Sequence, residues 1–130
     1  MKEKMFKALP EVSEKASYRF VSAEEAGVKR VKKAAKKLGN KCNPDDVVAI
    51  LDTSIFRTCK EGFVLTTQTL SGSFFKEVIR HTELISAECS EDNELVLQYK
   101  DGREEKIWGN IYANYLVEVL KKVISVTNAI

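Results

Sequence analysis

The chain contains one histidine, His81, and side-chain proton transfer near neutral pH would have to start there. Glu77 and Glu83 stand close to it in a stretch that reads as strand or turn. Nucleophilic catalysis needs more than that: a His oriented by a carboxylate and placed beside a Ser or Cys. His81 is therefore expected to be a structural or surface histidine. Cys42, Cys59 and Cys89 are widely spaced and form no Cys-x-x-Cys pair. Zinc-ribbon and thioredoxin-type chemistry lack their ligands, and no metal site is expected. The acid pairs Asp45-Asp46 and Glu91-Asp92 fall in polar breaks, where acids solvate turns or cap helices. The glycines are isolated and no Gly-Lys-Ser/Thr occurs, so a phosphate-cradling loop is missing. These residues point to no catalytic group, no cofactor and no small-molecule substrate. Enzyme is the weakest of the functional classes.

The remaining chemistry is charge. Lys29, Arg30, Lys32, Lys33, Lys36, Lys37 and Lys41 place seven cations between positions 29 and 41, with no acid among them. Residues 45–130 carry nine basic and fourteen acidic residues, so a net charge of only +2 hides a basic block followed by an acidic remainder. A block of this kind suits an anionic surface. Near an anionic membrane each Lys or Arg contributes roughly 1 kcal/mol, and contacts to nucleic-acid phosphates would be steeply salt-sensitive. The segment has none of the large aromatic side chains that insert into lipid or stack on bases. A solvated helix face, or contact with the acidic part of the chain in cis or across an oligomer, fits it as well.

The elements that position these residues follow from pattern. Met5, Phe6 and Leu9 suggest a short helical turn ahead of Pro10. Ser22-Ala-Glu-Glu25 is a capping-box signature, predicting a helix that runs to about Leu38 and ends at Gly39-Asn40. Val28, Val31, Ala35 and Leu38 fall on one face of it and the cations take the others. Cations toward its C-terminal end also complement the helix dipole.

Beyond Asn43-Pro44 the chain reads as about seven short strands: 47–51, 63–67, 68–75, 76–81, 83–89, 94–99 and 103–108. Asp101-Gly102 marks a hairpin, for which a three-residue loop pairing Leu97 with Ile107 keeps the apolar residues on one face. Asn110 is a plausible N-cap for a last helix with Ile111, Tyr112, Tyr115, Leu116, Val119, Leu120, Val123 and Ile124 on a wide apolar face.

At Leu51-Asp52-Thr53-Ser54, Glu61-Gly62-Phe63-Val64-Leu65-Thr66 and the Ile79 to Ile85 region the chain resembles the bacterial pleckstrin-homology-like (PH-like) domains. The resemblance covers roughly residues 45–130. It implies an α+β fold: a small antiparallel β-barrel of about seven strands capped by a C-terminal helix. Residues 1–44 would then be an N-terminal arm and a basic helix added before it. Bacterial domains of this kind are mostly of unknown function, and some self-associate. Lipid-binding PH domains grip inositol phosphates with a basic cluster in the loop after the first strand. Here that loop offers only Arg57 and Lys60, beside the apolar Ile55-Phe56.

The reading is a non-enzymatic binding module, acting through a protein partner or as a homo-oligomer. An anionic membrane or nucleic acid is the alternative partner of residues 29–41. Exposure of Trp108 and Tyr112 would add a docking surface of the hot-spot kind. With no apolar run long enough to span a bilayer, no secretory h-region and an odd number of thiols, a cytoplasmic location is expected.

Overall fold

A computed structural model describes residues 2–9, 20–53, 59, 61–73 and 75–128, so Arg57, Lys60 and Ile55-Phe56 lie outside the described residues. The first helix, α1 (Lys2–Ala8), buries Met5. A two-residue strand, β1 (Val21–Ser22), follows. The Ser22 hydroxyl then accepts the Glu25 amide at 3.1 Å, the cap that the sequence predicts.

The helix it starts is not continuous. A single turn, α2 (Ala23–Ala26), ends at Gly27, whose φ of +88° breaks the path before α3 (Val28–Lys37) begins. The break reorients the residues after it. Val28, expected on the apolar stripe, is 73% exposed, and Ala34 takes its place beside Val31, Ala35 and Leu38. Helix α3 ends as predicted, with Asn40 and Lys41 both at positive φ.

Seven further strands follow: β2 (Val47–Asp52), β3 (Gly62–Thr66), β4 (Thr69–Gly72), β5 (Ile79–Arg80), β6 (Leu84–Cys89), β7 (Glu94–Tyr99) and β8 (Glu104–Trp108). They form two antiparallel sheets, one of five strands in the order β1-β2-β3-β4-β5 and one of three in the order β6-β7-β8. The α+β class and the C-terminal helix hold, but the expected closed barrel is an open two-sheet sandwich. The reason lies at β5. Only Ile79 and Arg80 of the predicted strand 76–81 pair with β4, and the chain leaves at once through a 3₁₀ turn at His81–Glu83. A strand this short carries no ladder onward to the second sheet.

The hairpin at Asp101-Gly102 has the expected three-residue loop, with Tyr99 and Arg103 closing it. Leu97 pairs with Glu105, not with Ile107. The slip is two residues, so Leu95, Leu97 and Tyr99 keep the interior face.

The five-stranded sheet is covered on both sides. Phe63 and Leu65 of β3 face the main core, shared with Leu84, Leu95 and Leu97 of the second sheet. Val64 faces the other way, onto Val31, Ala34, Ala35 and Leu38 of α3. A register shift between Val47 and Ala49 opposite β3 lets Val48 and Ala49 share the main core while Val47 and Ile50 face α3. The layers therefore run α3, five-stranded sheet, main core, three-stranded sheet. Closing the main core is α4 (Ala113–Asn128), which buries Leu116, Val119, Leu120 and Val123. Its entry is a 3₁₀ turn at Asn110–Tyr112, with Gly109 and not Asn110 as the cap. That turn leaves Ile111 63% exposed and off the expected apolar face.

Candidate functional site

The basic segment divides in two. Lys29, Lys32, Lys33, Lys36 and Lys37 are exposed on α3, and Lys41 is exposed just beyond it. Val31, Ala34, Ala35 and Leu38 of α3 are packed on the sheet, so the opposite face is a cationic platform built on a seated helix. Arg30 is not part of it. Its Nη2 lies 3.7 Å from Oδ2 of Asp52, a carboxylate only 1% exposed at the end of β2. The same oxygen accepts the Cys59 amide at 3.2 Å and the Cys59 thiol at 3.5 Å. Arg30, read from the sequence with the lysines, thus anchors the helix to the sheet. Arg30 stands one turn before Ala34, at the edge of the stripe that packs on the sheet.

Cys42 and Cys59 are held toward the protonated thiol. Burial, then the Asp52 charge, pushes Cys59 up from its ordinary range, and burial followed by Asp46 does the same for Cys42. All three cysteines are free.

His81 is fully buried, and its Nε2 is 2.9 Å from the Thr66 carbonyl oxygen. A carbonyl only accepts, so Nε2 carries the proton and Nδ1 is bare, with no hydrogen-bond partner among the described residues. The ring is tied to backbone, not to a carboxylate, which is a structural arrangement. Burial lowers its pKa, opposed by the Thr66 bond. The native state therefore holds fewer protons than the unfolded chain at any pH between the lowered value and about 6.5, and stability rises with pH across that window. Urea midpoints should be level above pH 7 and fall below about 6.5, by at most ~1.4 kcal/mol per pH unit from this group. His81→Gln, which can still donate to Thr66, should flatten that segment; an unchanged slope would mean that His81 is not its source.

A polar groove opens where the barrel fails to close. Two recesses of about 440 and 270 Å³ share Asn40, Lys76, Glu77 and Val78. The larger reaches Tyr99 and Arg103, whose guanidinium stacks 4.5 Å over the tyrosine ring. Tyr99 donates its hydroxyl to Glu105 at 3.2 Å, and burial with that carboxylate pushes its pKa up to about 12. The groove holds both signs of charge, and its tyrosine stays protonated at neutral pH. Among the described residues no group of three or more His, Cys, Asp or Glu side chains is placed to hold a metal. No described helix is long and apolar enough to cross a membrane.

The second surface lies on the far side of the layer stack. Trp108 at the end of β8 is 54% exposed, while Tyr112 is half-buried and edge-on to Phe63. Of the two aromatics whose exposure would mark a docking surface, one qualifies. On the outer face of the three-stranded sheet Trp108 stands opposite Glu94, and Val96 lies between Glu88 and Lys106. Comparison with protein-family models, with curated proteins and with solved structures returns no match.

Proposed function

We propose that the chain is a non-enzymatic PH-like binding module that works through protein–protein contacts, with the lysine face of α3 as its docking surface. One observation carries this reading: Val31, Ala34, Ala35 and Leu38 of α3 are packed on the sheet, so Lys29, Lys32, Lys33, Lys36, Lys37 and Lys41 are presented outward on a helix that is already seated. Two antiparallel meanders followed by a helix support the PH-like reading. Base stacking and lipid insertion are disfavoured because the face carries no aromatic residue, and the segregation of a basic helix from an acidic remainder suits an acidic protein surface as partner.

The second reading, an anionic-surface binder, rests on the same lysines. Titration against duplex DNA and against phosphatidylglycerol vesicles separates the two. The protein reading expects only weak association at low salt, gone by about 0.15 M salt where exposed charges are screened. Binding that survives that salt and is lost in Lys32→Gln/Lys33→Gln/Lys36→Gln would replace it with the anionic-surface reading.

A further inference from the structure

We infer that the acidic partner of the α3 face is the outer face of the three-stranded sheet of a second copy, so that the chain assembles head to tail. The inference deepens the proposed function and rests on it. The two surfaces are complementary in charge. One is a row of exposed lysines. On the other, Glu88, Glu94 and Glu104 face outward with Lys106 as the only cation on those three strands' outer side, and the turn before β7 adds Glu91 and Asp92. Lys121 of α4 offsets Glu88 at 3.4 Å, which leaves the carboxylates nearer Trp108 to set the sign.

The surfaces also match in anatomy. Val96 and Trp108 form an apolar patch with Glu94 opposite the tryptophan and Glu88 and Lys106 flanking the valine, and the acids Glu91, Asp92 and Glu104 lie farther out. Across the interface, lysine stems and the exposed Val28 supply apolar contact beneath their charges.

The layer order fixes the symmetry. The α3 face and the outer face of the three-stranded sheet lie at opposite ends of the stack and point away from each other. One pair of rigid copies cannot make both contacts about a two-fold axis. Each contact is heterologous, and the product is a ring or an open chain whose length grows with concentration.

Sedimentation velocity on the full chain tests this. At low salt the weight-average mass should rise about two-fold or more with increasing concentration, and return to monomer when salt screens the surface charges. Two variants sharpen the test: Lys32→Glu/Lys33→Glu/Lys36→Glu, and Glu91→Lys/Glu94→Lys/Glu104→Lys. The first has two acidic faces and the second two basic ones, so each alone should stay monomeric. Mixed in equal amounts they should assemble again as an alternating chain. Circular dichroism of each variant confirms folding before mixing.

A wild-type monomer at every salt and concentration overturns the inference. So does assembly unaffected by either variant, or a mixture that stays monomeric. None of these outcomes touches the DNA and vesicle titrations, so the inference and the reading beneath it fail separately.

Discussion

Gly62→Ala is expected to remove most of the chain's stability. Gly62 opens β3 at φ +145°, a conformation that L side chains rarely adopt, and an added Cβ would sit 2.0 Å from the Leu51 carbonyl oxygen. Neither side of the clash can move cheaply. Gly62 is paired with Asp52 in the sheet, its amide donates to the Ser73 hydroxyl, and its carbonyl accepts the Ser73 amide at 3.1 Å. Backbone strain of about 1–3 kcal/mol and overpacking of a similar size act together here. Their sum is comparable with the roughly 5–15 kcal/mol that holds a whole domain folded. Gly27→Ala is the control: its φ is also positive, at +88°, but nothing lies within 4 Å of its added Cβ. With ψ at 155° it should lose the backbone strain alone, about 1–3 kcal/mol, without the added clash. Urea unfolding reads both, and equal losses would show that the Leu51 contact does not matter.

The second large effect is at Asp52. Asp52→Ala should cost about 1–3 kcal/mol, because it strands the polar groups that the buried carboxylate faces, with the 26% exposure of Arg30 moderating the loss. One stranded group is Arg30, whose Nε and Nη2 are buried and make no hydrogen bond among the described residues. The Cys59 amide loses its acceptor as well. Arg30→Met should also destabilise by removing the Arg30 charge from beside the buried carboxylate. The double variant Arg30→Met/Asp52→Leu should recover part of the loss, since apolar replacement of a whole buried pair is often tolerated. A double-mutant cycle on denaturant midpoints measures the coupling. Additive single effects would mean that the 3.7 Å contact is incidental and that α3 is held by its apolar stripe alone.

These two positions show what was legible in the sequence. The Ser22 cap, the short first helix, the three-residue hairpin loop and the broad apolar face of α4 are local patterns, and each reads directly. Gly27 was hidden because Val28 fits the helical spacing as well as Ala34 does, and only the break decides which faces the sheet. Arg30 stands one turn before Ala34, a spacing that became informative only once Ala34 was known to face the sheet. The barrel's failure to close depends on two residues of β5 and the turn at His81, where a polar loop resembles an edge strand. The polar groove draws on α3's end, the 76–78 loop and the last hairpin, segments far apart in sequence. The two-residue slip of the hairpin keeps Glu94, Glu104, Lys106 and Trp108 on the outer face and changes only which of them stand opposite one another.

Helix α1 packs against α4 and seats Met5 in the main core, so the beginning of the chain is completed by its end. Just after the arm, the Phe20 amide donates to the Tyr115 hydroxyl at 3.2 Å across 95 residues, and the two rings stack at 6.0 Å. Contacts of such separation form only after most of the chain has closed. Helix α1 also packs on β2, so it can be partly covered before α4 is in place, and its full burial waits for α4. The local hairpins of the three-stranded sheet can pair before then, so productive folding is timed by the arrival of α4.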